Sequence, residues 1–355
     1  MTLSTGVIGA GIVAGNNHFP AVARNPRTEL AAVCDADEER AREATAEYGG
    51  RTYADAATMF AEEDLDWVHV ATPVQSHFDL ASTAVERGVP VTVQKPATRT
   101  LSELDDLAAL ADDRGVPVSV VYNWLYYPVV RRLRRRIRDG EFGDVRSVRV
   151  TVAGEGRPDD TYRGDWVFDL PGGDFEEGLP HPLYLTLALG GPPRDGVDVR
   201  TRSAGDYDEF DYDGVSLQYE SVDGALCSTA VLSESTPSTQ IRVYGTEGSA
   251  TVDVPTASID AHDAEEGPYH FPNERVRRGV RRSASALAGV ASSLSEEAGA
   301  RVEERFDYHR DDSADGHYYL FDRAARALER GDQPPVPLSR ARQVLELTEA
   351  VRRSA

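Results

Sequence analysis

Lysine is almost absent from this 355-residue chain: Lys95 is the only one, and every other fixed positive charge is an arginine. Where nearly all ammonium groups have given way to guanidinium or carboxylate, the one that is kept marks a position of chemical interest. Cysteine is nearly as scarce. Cys34 and Cys227 stand far apart and form no spaced metal motif, which argues against a disulfide framework and for a reducing, cytoplasmic setting. Basic charge is in deficit, with 38 Lys and Arg against 60 Asp and Glu and a net charge of -22, so nucleic acid phosphates and anionic lipid surfaces would be repelled. No apolar run approaches the roughly 18 residues needed to span a bilayer, and the first apolar stretch, ending at Ile8, runs straight into a glycine turn rather than a cleavable leader. A soluble cytoplasmic protein is expected, with neither nucleic acid nor membrane as partner.

The excess of carboxylate with so little lysine resembles the composition of proteins from salt-loving archaea, where concentrated salt screens the self-repulsion of an acidic surface. The length calls for two domains. The first part alternates short apolar runs with amphipathic stretches, as strand–helix–strand units of a parallel sheet do. Strands are expected at 5–8, 30–34, 67–71, 89–93 and 116–121, with helices at 38–48, 54–61, 77–87 and 101–114 between them. From about Val145 the period changes to alternating strands and polar turns, at 145–152, 197–202, 214–219, 225–232, 240–244 and 249–254, which reads as an antiparallel or mixed sheet with one face on helices and one available for an interface. Two closing helices, at 317–330 and 339–352, flank a Gly-Asp-Gln-Pro-Pro turn. The expectation is an α/β chain with domains at 1–123 and 124–355. Two arginine-rich runs, Arg131–Arg138 and Arg275–Arg282, carry apolar residues at helical intervals and read as solvated helix faces paired with carboxylates, the alternative being a site for the phosphates of a nucleotide sugar.

The first strand ends in Gly9-Ala10-Gly11-Ile12-Val13-Ala14, which fits the G-x-G-x-x-G/A fingerprint of dinucleotide binding. Gly9 permits the tight turn, Gly11 lets the backbone approach a pyrophosphate, and Ala14 allows close packing of helix on strand. Ile12 and Val13 open the helix whose free N–H groups and positive dipole end suit phosphate. Asp35 follows Gly11 by 24 residues, near the offset at which an acid meets the adenosine ribose hydroxyls. With Asp37 beside it and no arginine for a 2′-phosphate, NAD is favoured over NADP; the plainer reading of Asp35 is a helix-capping residue. Thr72-Pro73, after the strand at 67–71, sit where a loop faces the ligand crevice, and His77 reads equally as a ligand contact or as the start of a helix.

At Val93-Gln94-Lys95-Pro96, taken with the glycine turn, Thr72-Pro73 and His77, the chain resembles the Gfo/Idh/MocA family of oxidoreductases, the glucose-fructose oxidoreductase and inositol dehydrogenase group. That family's strand usually ends in Glu-Lys-Pro, and its second domain carries a Gly-Gly loop followed by an acid four residues before a histidine. Here Gly172-Gly173 lead to Glu177 and His181 at that spacing, and Val120-Val121-Tyr122-Asn123 matches the domain junction. The resemblance implies a Rossmann domain joined to an α/β domain with a large open, mainly antiparallel sheet, which commonly builds homodimers or homotetramers. It also implies a cofactor site that includes Gln94, Lys95 and Asn123. Two positions depart from the pattern. Gln94 stands where glutamate is usual and Glu177 where aspartate is more frequent, and an amide beside Lys95 stabilises its ammonium less than a carboxylate would, so Lys95 should release its proton more readily.

Oxidation of a hydroxyl carbon needs a group to take the proton while a hydride leaves for nicotinamide. Lys95 and His181 are the candidate proton-handling pair, expected to converge from the two domains, with Glu177 orienting His181 or the substrate hydroxyl. Tyr162 and Trp166 are candidates for a wall against a sugar ring, with core packing the simpler role for Trp166. His18, His69, His262, His270, His309 and His317 show no metal-ligand spacing, and no metal and no chemistry is assigned to them. The expected activity is an NAD-dependent dehydrogenase of a sugar, polyol or nucleotide sugar. Its rivals are a cofactor-bound regulator without turnover, which Gln94 favours, and a glycosidase that uses NAD transiently.

Overall fold

The computed structural model describes residues 2–205, 209–263 and 315–355, with scattered helical residues between 276 and 299. The chain divides into two compact units. The first is Met1–Tyr126 with Val302–Leu345, the second Tyr127–Arg301 with Glu346–Ala355.

In the first unit, strands β1 (Leu3–Ile8), β2 (Thr28–Cys34), β3 (Arg51–Tyr53), β4 (Trp67–Val70), β5 (Val91–Val93) and β6 (Val118–Val120) form one sheet in the order β3-β2-β1-β4-β5-β6. All its pairings are parallel. Its central strands are buried on both faces, as a sheet covered on each side requires, with β4 and β5 buried along their whole length. The helices begin where their sequences provide caps. Asp37 accepts from the Glu39 N–H at the start of α2 (Glu38–Tyr48), Asp55 from the Thr58 N–H at α3 (Ala56–Glu62), and Thr100 from the Glu103 N–H at α5 (Leu101–Arg114). Strand order reverses between β1 and β4, the switch point at whose strand carboxyl ends sheets of this kind bind their ligands.

The two-domain expectation placed everything after residue 123 in the second body, whereas the chain returns to the first. Helix α9 (Gly316–Arg330), the penultimate one, buries Leu320, Phe321, Ala324 and Ala325. Arg27 holds it by pairing with Asp322 at 3.4 Å and Glu329 at 2.7 Å. Beyond it, the Val336 carbonyl accepts from the Val120 N–H at the end of β6. These contacts join residues some 200 or more apart, beyond the reach of a reading by local periodicity.

The second unit holds a seven-stranded sheet of β7 (Val145–Ala153), β8 (Asp198–Arg202), β9 (Gly214–Glu220), β10 (Leu226–Leu232), β11 (Ser238–Gly245), β12 (Gly248–Asp253) and β13 (Ser258–Asp263), ordered β13-β12-β11-β7-β10-β9-β8. Only the β7–β10 pairing is parallel. Along β10, Cys227, Thr229 and Val231 are buried while Leu226 and Leu232 are exposed. The buried side packs on α8 (Pro180–Gly190), where the Thr186 and Thr229 hydroxyls meet at 2.7 Å. The first arginine run forms α6 (Pro128–Arg138), which buries Val129, Val130 and Leu133 and points Arg136 at Glu141. The arginines of the second run lie outside the described residues. No helix among the described residues is long and apolar enough to cross a membrane.

Candidate active site

At its first glycine the turn is built by backbone contacts that leave no room for a side chain. Gly9 has φ +98°, its N–H donates to the Cys34 carbonyl at 2.7 Å, and a Cβ there would stand 2.7 Å from the Ala71 carbonyl oxygen. A Cβ at Gly11 would instead meet open space, which is what a loop that admits phosphates to its backbone requires. Ile12 is 47% exposed and Val13 has helical angles, while Ala14 is fully buried in the cluster formed with Val7, Phe19 and Val33. Asp35 is fixed twice: one carboxylate oxygen accepts from the Ala10 N–H at 2.6 Å and the other from the Asp37 N–H at 2.8 Å. Its carboxylate is therefore locked to the turn, and the residues present fit an NAD cradle. Asp37 itself is the α2 cap.

A turn of π-helix at Ala14–His18 follows, wider than an α-turn by one residue. It delivers His18 to the interior, where it is fully buried.

Thr72 and Pro73 follow β4, with the Ser76 hydroxyl donating to the Thr72 hydroxyl at 2.8 Å. His77 opens α4 (His77–Glu86) yet is buried, with Nε2 2.8 Å from the Thr72 carbonyl and Nδ1 2.8 Å from the Pro96 carbonyl. It ties the loop after β4 to the loop after β5. Burial holds its pKa below the ordinary value of 6.5, against the pull of both carbonyls.

Gln94 and Lys95 follow β5 directly, each 7% exposed, and the Lys95–Pro96 peptide is cis. The Gln94 N–H donates to the Val70 carbonyl at 2.9 Å, and the Lys95 N–H donates to Gln94 Oε1 at 3.2 Å. Asn123, also 7% exposed, starts the 3₁₀ turn after β6. Thus Gly9 to Val13, Asp35, Thr72-Pro73, Gln94-Lys95 and Asn123 all leave the carboxyl ends of strands of one sheet.

Behind Gln94 lies a feature that sequence spacing did not reveal. His18, His69 and His317, which had been assigned no chemistry, gather around Phe321, with ring centroids at 4.9, 4.6 and 6.1 Å from it. Burial lowers all three pKa values, His69 to about 3 and His317 to about 4; neighbouring positive charge adds to the effect at His18, and Lys95 does so at His317.

In the second unit, Gly173 has φ +53° and a Cβ there would collide with the Pro158 carbonyl, so this loop also requires glycine. It starts α7 (Gly173–Gly178), which carries two glutamates with separate tasks. Glu176 turns inward: Arg352 Nε donates to it at 3.0 Å, Arg352 Nη2 and the Tyr212 hydroxyl donate at short range, and the Gly172 N–H at 3.3 Å. Burial, and then the Glu176 charge, push the Tyr212 phenol far up, so it stays a donor. Glu177, 4% exposed, lies 3.2 Å from Arg163 Nη1. His181 stands on the first turn of α8 with Nδ1 2.7 Å from the Tyr184 hydroxyl, one helical turn away. That contact fixes the orientation of the imidazole ring on α8. Tyr162 is 68% exposed with the Arg163 guanidinium 5.1 Å over its ring, and Trp166 Nε1 donates to the Arg163 carbonyl at 3.2 Å. Arg163 and Tyr184 were missed from sequence, although the i, i+3 spacing of His181 and Tyr184 was a signal for the latter.

Residues 3–122 match the family described as oxidoreductase family, NAD-binding Rossmann fold, and residues 130–251 match the GFO/IDH/MocA C-terminal domain. D-apiose dehydrogenase of Paraburkholderia graminis is 38% identical over 39% of this chain and 36% of its own length. The uncharacterized oxidoreductase YdgJ of Escherichia coli is 28% identical over 98% and 94%. Among solved structures, levoglucosan dehydrogenase in complex with NADH and levoglucosan has a TM-score of 0.79 at 19% identity, covering 100% of this chain and 97% of that one. The WlbA dehydrogenase of Bordetella pertussis, in complex with NADH and UDP-GlcNAcA, has 0.76 at 22%, covering 100% and 97%. With matches in both halves and the glycine turn, Asp35 and Lys95 placed as described, the chain belongs to the Gfo/Idh/MocA family of NAD-binding oxidoreductases.

Proposed function

We propose that this protein oxidises a CH–OH carbon of a sugar, polyol or nucleotide-activated sugar, or reduces the corresponding carbonyl, with NAD as hydride carrier. The observation that carries the reading is the buried placement of the chain's only lysine on the strand-end edge that also bears the glycine turn and the anchored Asp35. NAD, when bound, accepts the hydride. Gly9, Gly11, Ile12 and Val13 cradle its phosphates, Asp35 meets the ribose, and Thr72, Pro73, Gln94 and Asn123 line the remainder, with His77 fixing the loops. Asp35 disfavours a 2′-phosphate, so NAD is preferred to NADP.

Lys95 takes the hydroxyl proton as the hydride leaves. His181 is the second proton-handling group, its ring held at Nδ1 by the Tyr184 hydroxyl. Glu177 acts with Arg163 to set the charge around the substrate hydroxyls. The relatives' sugar and nucleotide-sugar names support this substrate class. Two unpaired, buried cysteines accord with a cytoplasmic location. The exposed sheet positions Leu226 (63%) and Tyr244 (40%) support a homodimer or homotetramer formed through this sheet, which sedimentation of wild type against Leu226→Glu tests.

A panel of aldoses, polyols and nucleotide sugars at high salt, followed by NADH absorbance and by sugar release, tests the activity. Net NADH formation with one class supports it. Sugar release without net NADH identifies a glycosidase instead, and NAD binding with neither identifies a regulator.

A further inference from the structure

The hydrogen bonds behind Lys95 have only one consistent direction. The Lys95 backbone N–H can only donate, so the Gln94 atom 3.2 Å from it is the carbonyl oxygen. The other end of that amide is then NH₂, a pure donor, and it lies 2.9 Å from His18 Nε2, which must accept. A neutral His18 that accepts at Nε2 carries its proton on Nδ1, which lies 3.0 Å from His69 Nδ1. His69 must accept there and so carries its proton on Nε2, a buried nitrogen with no hydrogen-bond partner among the described residues. The chain ends at that atom, so it conducts no proton onward.

We infer that His18, backed by His69 and acting through the Gln94 amide, is a positioning residue for Lys95, and that this one-way chain keeps both imidazoles uncharged beside the lysine. The inference rests on the reading of Lys95 as the proton acceptor. The π-turn that buries His18 is what brings its ring to Gln94. Its surroundings leave no room for a charge: His18 and His69 are both fully buried, meet edge to face, and pack their rings on Phe321, with the Trp67 ring centroid 4.2 Å from that of His69. The titratable and charged groups that face the pair, among the described residues, are Lys95 beyond the amide and His317 of α9, which has Asp315 at 4.0 Å. Burial depresses the basicity of both rings in the same direction.

Glutamine at 94 is required for this arrangement, because an isosteric glutamate offers His18 an acceptor in place of a donor. Both histidines would then have to switch tautomer, or His18 would hold a second proton. The test uses the full-length protein labelled at histidine nitrogen and at lysine. Because Lys95 is the only lysine, its ammonium gives a single resonance whose titration is read without assignment.

The expected wild-type spectrum shows His18 as the Nδ1–H form and His69 as the Nε2–H form, unchanged from pH 8 to 5.5. In Gln94→Glu both rings change state, the Lys95 midpoint rises by about one pH unit or more, and kcat falls while the KM for the hydroxyl substrate stays within about twofold. A charged or Nε2–H His18 in the wild type overturns the proposal, and so does a Gln94→Glu protein whose rings and lysine midpoint are unmoved. If the rings and the lysine respond as expected but no dehydrogenase turnover is found with any substrate, the chain stands and the functional reading fails.

Discussion

Two glycines two residues apart show how a single residue serves fold or ligand. At Gly9 the backbone is left-handed and a Cβ would press on the Ala71 carbonyl, whereas at Gly11 a Cβ would meet nothing within 4 Å. Gly9→Ala should therefore cost about 1–3 kcal/mol of stability, lowering the melting temperature by roughly 3–10 °C. Gly11→Val should melt within about 2 °C of wild type and yet lose NAD affinity by tenfold or more, roughly 1.4 kcal/mol. Calorimetry and NAD titration of the two variants check the contrast. Asp35 belongs with Gly9 as well as with the cofactor, since its carboxylate already holds the Ala10 and Asp37 N–H groups. The two readings of that residue, ribose ligand and helix-start acid, are not exclusive.

At the level of elements, the short helix α7 is held by a buried charge rather than by its length. Glu176 is 3% exposed and paired with Arg352, itself on the last helix, α10 (Leu338–Arg352). Arg352→Ala leaves that carboxylate buried without its cation, at a cost of about 3–5 kcal/mol; the second unit should melt roughly 6–15 °C lower. Glu176→Gln, which removes the charge, should cost less than half as much, and thermal scans of the pair decide it. Most strands of both sheets were legible in the sequence, because period-two alternation and apolar runs report directly on one-sided and two-sided burial. The motifs after β1, β2, β4 and β5 were legible for the same reason: fixed spacing after a strand puts a residue at the sheet's edge. Helix α8 gave no amphipathic signal, since it buries residues on every side, from Leu183 and Tyr184 to Leu189. Strand β13, Ser-Ile-Asp-Ala-His-Asp, is too polar to announce itself. The histidine cluster was invisible because it joins residues 18, 69 and 317, which only the tertiary fold, with the π-turn and α9, brings together.

For the molecule as a whole, the buried histidines set an acid limit on stability. Unfolded, they take up protons near pH 6.5; folded, His317 does so near 4 and His69 near 3, with His18 well below its ordinary value. Their contribution is complete above about pH 6.5 and is lost as pH falls toward 4 and then 3, by up to about 1.4 kcal/mol per pH unit for each histidine. Melting scans between pH 7.5 and 5 should show the decline, with a shallower slope in His317→Gln; parallel slopes would mean that these rings do not govern it.

The account depends most on Lys95 as the group that accepts the hydroxyl proton, and the most direct measurement is steady-state turnover of Lys95→Met alongside its NAD affinity. The expected result is a loss in kcat on the order of 10²–10⁴-fold with the NAD dissociation constant within about threefold of wild type, a change below roughly 0.7 kcal/mol. Turnover within about tenfold of wild type, less than the range expected for a lost acid–base group, would contradict it.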